Sequence, residues 1–173
     1  MLTTKPHVIC EISNQDFGLP TASHTNYRIR EASRGLLIHE SEVALIYLSR
    51  FKYHKLPGGG IEKGETPEQA FHREILEETG CHCQVTNPNA ITIEYRDNFQ
   101  LTQISHIFFG RVTENTYKLR LDQYEIEEGS ELKWIPIKEV EVLLKNDSTD
   151  DYEGKFIRYR DLKIWKFYIE IQF

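Results

Sequence analysis

Three glutamates, Glu74, Glu77 and Glu78, lie three and four positions apart in the segment HREILEETG. On a helix this spacing places their carboxylates within one arc about 100° wide. Like charges at this spacing repel each other by roughly 0.2–0.5 kcal/mol per pair, so the pattern indicates either a solvated acidic face or a cation site. Mg²⁺ and Mn²⁺ take carboxylate and carbonyl oxygens and complete their shell with water and phosphate oxygens. The cation reading therefore predicts a phosphate substrate.

The segment before this helix, LPGGGIEKGE, is rich in glycine and carries two further glutamates, Glu62 and Glu65. Its consecutive glycines predict a loop without regular structure, in which the backbone can approach a ligand closely. The segment has neither the Gly-Lys-Ser/Thr ending of a P-loop nor the GxGxxG pattern of a dinucleotide site. A loop with carboxylates beside a carboxylate-bearing helix favours the cation reading over the solvated face.

The spacing between loop and helix is specific. Gly59 is followed by five residues, Glu65, seven residues and then Arg-Glu-Ile-Leu-Glu-Glu-Thr-Gly from Arg73 to Gly80. This resembles the signature of the Nudix hydrolase family. Only the final position differs, because Cys81 replaces a large aliphatic residue, and cysteine packs as a small hydrophobe. The segments LPGG and LKWIPIKEV resemble family features outside the signature.

The resemblance implies an α+β fold, a Nudix-type α/β/α sandwich with a mixed central sheet, and hydrolysis of a nucleoside diphosphate linked to another group. It implies a Mg²⁺ or Mn²⁺ cofactor held by the Gly59 carbonyl, Glu74, Glu77 and Glu78. It also implies a salt bridge between Arg73 and Glu65 that braces the loop against the helix. The positions assigned to structural support of the site are Glu65, Gly60 and Gly80.

Catalytic roles are expected for Arg73, Glu74, Glu77 and Glu128. The general base is left open between Glu74 and a carboxylate of the later segment QYEIEEGSE, where Glu125, Glu127 and Glu128 are the candidates. Basic and aromatic residues just before the glycine segment could bind phosphates and stack on a base. The substrate-binding candidates are Arg50, Lys52, Tyr53 and Lys55, and an exposed edge without a ligand role is the alternative.

The leading functional hypothesis is a nucleoside triphosphate pyrophosphohydrolase, including one that acts on oxidised or non-standard nucleotides. Hydrolysis of ADP-ribose or of a dinucleoside polyphosphate is the alternative within the family. Family members that act on ADP-ribose tend to carry a proline about fifteen residues past the signature, where this chain has EYRD, whereas Tyr95 nearby leaves dinucleoside polyphosphates open. A nucleotide-sensing module without turnover is the third hypothesis.

The length and amino-acid composition of the chain limit the classes of partner that it can bind. The chain has 173 residues, 39% of them apolar, a formal charge of −6 and a pI of about 5.7. This length predicts a single domain over residues 1–173, and the acidic balance disfavours nucleic acid as a partner. No segment has the roughly 18 apolar residues of a membrane span, and three cysteines fit a reducing compartment. We expect a cytoplasmic monomer or homodimer with a small-molecule nucleotide substrate and no membrane partner.

The elements that position these residues follow from hydrophobic periodicity and turn chemistry. Thr66 and Gln69 form a capping box, Pro67 suits the first helical position and Gly80 a C-terminal stop, so a helix is predicted from Pro67 to Thr79. A second helix is predicted from Ile137 to Lys145, and the tail from residue 155 as a helix followed by an edge strand. The predicted strands are 7–13, 27–39, 42–50, 81–86, 90–97, 103–113 and 130–137, with HESE as a hairpin turn and NPN as a turn after residue 86.

The carboxylate pattern also makes a prediction about stability. If repulsion dominates on the helix, replacing Glu78 by Gln should leave the stability of the metal-free protein unchanged or slightly higher. The same change should weaken metal binding.

Overall fold

The computed structural model describes residues 5–23 and 26–172. The strands are β1 His7–Ser13, β2 Arg28–His39, β3 Glu42–Leu48, β4 Tyr53–Lys55, β5 Gly58–Gly60, β6 Cys81–Arg96, β7 Leu101–Asn115 and β8 Ser130–Pro136. The helices are α1 Pro67–Thr79, α2 Gln123–Glu128, α3 Ile137–Asn146 and α4 Tyr152–Gln172.

The strands form one mixed sheet in the order β1-β6-β7-β2-β3-β4. Two pairs are parallel, β1 with β6 and β2 with β7, and the other pairs are antiparallel. Two strands branch from this path, because β5 pairs with β2 and β8 pairs with β3. Strand β5 thereby lies next to the middle of β2, which brings the glycine segment to the centre of the molecule.

Helices cover both faces of the sheet. Successive residues of a strand point to opposite faces, so Leu36 packs with Trp165 of α4 on one side while Leu37 packs with Phe71 of α1 on the other. Helix α3 shares the α4 side through Val140. The fold is therefore a mixed α+β sandwich with a central mixed sheet, which confirms the predicted fold class.

Several local predictions are confirmed. Helix α1 begins and ends at the predicted residues, and the hairpin between β2 and β3 pairs Ile38 with Val43 around the predicted turn. Strands β1 and β8 and helix α3 also form where expected, α3 continuing one residue further. These elements carry complete local signals, such as the capping box of α1, so tertiary packing does not alter them.

Three predictions are wrong. The glycine segment is not irregular, because Gly58–Gly60 pairs as a strand with Ala32–Arg34. The NPN turn does not separate two strands, because β7 pairs with both halves of β6 and the extra residues form a register shift between Thr86 and Ala90. The predicted edge strand of the tail does not form within the described residues, since helix α4 continues to Gln172.

Four short elements of the described residues were not predicted: strand β4, helix α2 and the 3-10 helices Asn14–Phe17 and Asp97–Phe99. Helix α2 follows the N-cap Asp122, whose side chain accepts a hydrogen bond from the Glu125 N–H, and Gly129 ends it in a left-handed conformation. Within the described residues, none of the helices is long and apolar enough to cross a membrane.

Candidate functional site

The caps of helix α1 determine where it begins and ends, and its apolar residues determine which side faces the sheet. Thr66 and Gln69 exchange hydrogen bonds at the first turn, and Gly80 ends the helix with φ of 71°. The apolar side of the helix packs on the sheet, and the neighbouring side carries Glu74 and Glu78 over strand β5. Both glutamates are buried, Glu74 with 8% and Glu78 with 1% of its surface exposed.

Three carboxylates meet beside strand β5. Glu74 and Glu78 come from α1 and Glu125 from α2, and each offers an oxygen within 4.8 Å of the other two. Burial, and then the charge of Glu78, raise the pKa of Glu74. Burial raises the pKa of Glu125 to about 7, and the charge of Glu78 contributes to this shift. The cluster therefore concentrates negative charge at a partly desolvated point.

The glycines of β5 allow the backbone to lie against this cluster. The Gly58 N–H donates a hydrogen bond of 2.7 Å to Glu78 Oε2. A methyl group on Gly59 would lie 2.5 Å from Glu74 Oε1, and one on Gly58 would lie 2.5 Å from Arg34 Cα. Contacts this short exclude any larger residue unless the neighbours move, so the glycines serve close packing between α1 and β2.

Lys55 compensates part of the cluster's charge. Its ammonium group donates a hydrogen bond of 3.0 Å to Glu78 Oε1, and its side chain is 14% exposed. Burial alone would lower the pKa of Lys55, but the charge and hydrogen bond of Glu78 outweigh burial and raise it. Lys55 is therefore charged at neutral pH and offsets the negative charge of the cluster at Glu78.

Arg73 links the loop, the strand and the helix. Its guanidinium donates to Glu65 at 2.7 and 3.0 Å, to Glu74 at 2.7 Å and to the Gly60 carbonyl at 2.9 Å. The hydrogen bond from Arg73 lowers the pKa of Glu65 to about 2. The structure thus contains the salt bridge between Arg73 and Glu65 that the sequence resemblance implies.

Glu77 lies apart from the three-carboxylate cluster. Its carboxylate accepts a hydrogen bond of 3.2 Å from Arg73, and 37% of the side chain is exposed. It borders a second recess, which Glu74 and Glu125 of the cluster also line. A metal role for Glu77 stays a prediction, whereas Glu125 takes the third place in the cluster that the structure assembles.

A cleft of about 400 Å³ opens beside the cluster. Its walls include aromatic residues (Phe51, Tyr53, Phe99 and Tyr124), acidic residues (Glu74, Glu125, Glu128, Asp151 and Glu153), and basic residues (Arg30, Arg34, Lys55, Arg96 and Arg160). Burial raises the pKa of Glu128.

The four residues predicted from the sequence to bind substrate lie in two different recesses of the structure. Tyr53 and Lys55 line the cleft, whereas Arg50 and Lys52 border a separate recess with residues 148–151. The guanidinium of Arg50 lies 5.5 Å from the ring centre of Phe51. A substrate role for Arg50 and Lys52 stays a prediction without a place in the main cleft.

The floor of the cleft is a buried ionic network that sequence reasoning missed. Glu94 accepts hydrogen bonds from Arg96 at 2.8 Å and from Arg160 at 3.2 Å. Asp161 accepts from Arg160 at 2.7 Å and from the Leu56 N–H at 2.7 Å, so the network also holds the segment that leads into β5. Burial alone would raise the pKa of Glu94, but Arg160 and Arg96 outweigh it and lower the pKa to about 2.

A signal for this network exists in the sequence. Glu94 and Arg96 are alternate residues of strand β6 and so share one face of it, and Arg160 and Asp161 interrupt the apolar face of α4. Charged residues on the buried side of an element are rare unless they are paired. Only the fold shows that these two pairs meet.

The carboxylate cluster fits a hard divalent cation. Its donors are carboxylate oxygens, which Mg²⁺ and Mn²⁺ prefer, and no thiol or imidazole belongs to it. A cation would also offset the repulsion that raises the pKa of Glu74. The residues that would hold it are Glu74, Glu78 and Glu125.

Comparison with known proteins agrees with this geometry. The family model described as NUDIX domain matches residues 27–158. In structure, the chain is similar to a NUDIX hydrolase from Nitrosomonas europaea, with a TM-score of 0.56 and 23% identity over 77% of this chain and 89% of that one. It is also similar to a MutT NUDIX hydrolase from Burkholderia pseudomallei, with a TM-score of 0.52 and 18% identity over 64% and 85% of the two chains. At these identities the structural matches show the fold alone.

Curated relatives match shorter segments. A putative 8-oxo-dGTP diphosphatase from Bacillus subtilis is 36% identical over 85 residues, 49% of each chain. An RNA pyrophosphohydrolase from Psychromonas ingrahamii is 44% identical over 48 residues, 27% of this chain and 26% of that protein. The chain therefore spans between about a quarter and a half of the length of these two relatives.

Proposed function

The chain belongs to the NUDIX hydrolase family, and from this premise we propose that it hydrolyses a nucleoside triphosphate to the monophosphate and pyrophosphate with Mg²⁺ or Mn²⁺. The observation that carries the proposal is the cluster of Glu74, Glu78 and Glu125 at the edge of a cleft with a basic floor. A cation site at one end and guanidinium groups along the floor suit a chain of phosphates.

Different residues of the site would hold the cation and position its ligands. Glu74, Glu78 and Glu125, with the Gly59 carbonyl, would hold the cation, which when bound neutralises phosphate oxygens and promotes ionisation of the attacking water. Arg73 positions Glu74 through its hydrogen bond and anchors the loop through Glu65. The catalytic contribution of Glu77 would be indirect, through its contact with Arg73.

We assign the general base to Glu128, with Glu74 as the alternative. Glu128 lines the cleft outside the three-carboxylate cluster, so a bound cation would leave its carboxylate, which is hydrogen-bonded to Tyr124, available to accept a proton from water. Burial raises its pKa, which brings a carboxylate closer to the range in which a base works well near neutral pH. Tyr53 and Lys55 would contact the substrate from the cleft wall.

Support for a triphosphate comes from the relative named putative 8-oxo-dGTP diphosphatase, which keeps oxidised nucleotides among the candidate substrates. Its match covers only half of either chain, so the substrate needs its own test. We also propose a cytoplasmic location, which the free thiols of Cys10, Cys81 and Cys83 favour. Whether the protein is a monomer or a homodimer is decided by its mass in solution.

The test is a substrate panel incubated with Mg²⁺, with Mn²⁺ and with chelator, with products separated by ion-exchange chromatography. The panel holds normal and oxidised nucleoside triphosphates, ADP-ribose, a dinucleoside polyphosphate and a 5′-triphosphorylated RNA oligonucleotide. The proposal predicts chelator-sensitive formation of monophosphate and pyrophosphate from a free triphosphate. AMP with ribose 5-phosphate, or AMP with ATP, as the main products would refute the triphosphate assignment.

Substitution of Glu74 separates an enzyme from a sensing module. Glu74→Gln should abolish turnover while nucleotide binding, measured by calorimetry, is retained in part. Binding by the unsubstituted protein without turnover of any panel member would instead support the sensing module.

A further inference from the structure

Among the described residues, one buried arginine at the floor of the cleft has no carboxylate bonded to it. Three arginines there are almost completely buried, Arg34 with 4%, Arg96 with 2% and Arg160 with none of its surface exposed. The carboxylates bonded to two of them are Glu94 and Asp161, which are buried, and Glu153, which is partly exposed and accepts a hydrogen bond from Arg96. A buried charge without a partner is costly, so a surplus cation at the wall of a cleft indicates that an anion binds there.

Arg34 is the arginine that lacks a carboxylate partner. Arg96 and Arg160 each contact Glu94, whereas the hydrogen bond of Arg34 is from its Nε to the neutral Ser105 hydroxyl at 3.0 Å. Burial lowers the pKa of Arg34 to about 9, and the charge of Arg160 contributes to this shift. The charges of Asp161 and Glu94 offset part of this shift, but among the described residues no carboxylate is hydrogen-bonded to Arg34.

Two further guanidinium groups have donors available near Arg34. Arg30 lies four residues earlier on the same face of β2, lines the same cleft and bonds to the neutral Gln103 side chain at 2.6 Å. Arg160 Nη2 is buried and has no hydrogen-bond partner among the described residues. Guanidinium groups that converge on one place are suited to phosphate, because each donates two parallel hydrogen bonds.

We propose that Arg34, with Arg30 and Arg160, forms an anion subsite that holds the terminal phosphoryl group of a triphosphate substrate. The subsite rests on the proposed function for its orientation, since the carboxylate cluster lies across β5 from Arg34. A terminal phosphoryl group carries more charge than an internal one. It therefore matches a place where Arg34 and Arg30 have only neutral partners.

Binding of pyrophosphate in the presence of chelator tests the subsite without turnover. We expect inorganic pyrophosphate at about ten times its Kd to raise the Tm of the unsubstituted protein by roughly 3–6 °C. Arg34→Met should lose this shift, and the Tm of the free variant should be unchanged or higher because a surplus buried charge is removed. The matched control is Arg111→Met, an exposed arginine on β7 outside the cleft, which should keep the full shift.

Kinetics supply the second measurement. Arg34→Met should lower kcat/KM for a nucleoside triphosphate by about 10- to 100-fold and relieve inhibition by pyrophosphate, while the loss for the matching diphosphate is several-fold smaller. Arg34→Lys keeps the charge but not the planar fork, so its values should lie between those of the Arg34→Met variant and those of the unsubstituted protein.

The results of these experiments test the anion subsite independently of the proposed hydrolytic function. Loss of the pyrophosphate shift in Arg34→Met supports the subsite even if no panel substrate is cleaved. Equal pyrophosphate shifts and equal kcat/KM in both proteins would overturn the subsite while metal-dependent hydrolysis stands. A large fall in the Tm of both ligand-free variants, Arg34→Met and Arg34→Lys, would also overturn the subsite. Such a fall would show that Arg34 stabilises the fold instead of binding an anion.

Discussion

Replacing Glu78 by Gln should destabilise the metal-free protein, in contrast to the expectation from helix repulsion alone. In the structure Glu78 accepts hydrogen bonds from Lys55 Nζ and from the Gly58 N–H, and only 1% of it is exposed. Gln can still accept one of these bonds, but it leaves the charge of Lys55 without its partner. The substitution therefore has two opposite effects on the free energy of unfolding: loss of the ion pair with Lys55 lowers it, and relief of the repulsion with Glu74 and Glu125 raises it.

The sizes of these two effects decide whether the substitution lowers or raises the free energy of unfolding. Removing one partner of a buried ion pair costs about 3–5 kcal/mol, and the 14% exposure of Lys55 reduces this because its ammonium can reach water. Relief of the repulsion of Glu78 with Glu74 and Glu125 returns more than the roughly 0.2–0.5 kcal/mol of an exposed helix pair, because the cluster is partly buried, but less than the cost of leaving Lys55 unpaired. We expect the free energy of unfolding to fall by about 1–3 kcal/mol.

The contribution of the Lys55–Glu78 pair to stability should decrease at high pH. Glu78 raises the pKa of Lys55, so the pair stabilises the folded protein wherever Lys55 is charged in the unfolded chain, below about pH 10.4. This contribution is lost as pH rises through the folded pKa. The difference between Glu78→Gln and the unsubstituted protein should hold from about pH 7 to about pH 9 and shrink at higher pH.

Urea unfolding in chelator measures this difference. The control is Glu77→Gln on the same helix, whose partly exposed contact with Arg73 should be worth less than about 1 kcal/mol. Equal or greater stability of Glu78→Gln at neutral pH would refute the ion-pair reasoning and restore repulsion as the dominant effect.

Four other substitutions test separate parts of the site. Gly59→Ala should lower kcat/KM by roughly 100-fold with an unchanged circular dichroism spectrum, because its methyl group displaces the Glu74 carboxylate 2.5 Å away. Glu125→Gln should raise the Mg²⁺ concentration for half-maximal turnover at least about tenfold, whereas Glu128→Gln should lower kcat with unchanged metal dependence, as metal titrations of initial rates would show. Arg160→Met should lower the free energy of unfolding by about 3–5 kcal/mol in urea titrations, because both of its carboxylate partners lose a buried counter-charge.

Each of these expectations has a contrary result. Turnover of Gly59→Ala within about twofold of the unsubstituted rate would show that the Glu74 position does not matter. Identical metal titrations for Glu125→Gln and the unsubstituted protein would remove Glu125 from the metal site. A change below about 1 kcal/mol in Arg160→Met would show that the floor network does not stabilise the fold.

Local signals made helix α1 predictable from sequence. The capping box of Thr66 and Gln69, and Gly80 at the end, each act within four residues, so no tertiary information is needed to place the helix. The glycine strand was not predictable in this way. Gly58–Gly60 has no side-chain pattern, and its strand conformation comes from pairing with β2, more than twenty residues away.

The composition of the carboxylate cluster depends on the same long-range packing. An arc of about 100° on α1 contains Glu74, Glu77 and Glu78, but the position of β5 decides which of them are buried together. Glu125 joins them only because the fold brings its carboxylate from α2 to those of Glu74 and Glu78, and no periodicity connects residues so far apart. The arginine floor is equally non-local, since it joins β2, β6 and α4.

Anomalous scattering at the manganese edge, from a crystal of the protein grown with Mn²⁺, would locate the bound cation directly. We predict a peak at roughly 2.0–2.3 Å from oxygens of Glu74, Glu78 and Glu125. A peak on Glu77 without Glu125, or no peak in this cluster at saturating Mn²⁺, would contradict the account.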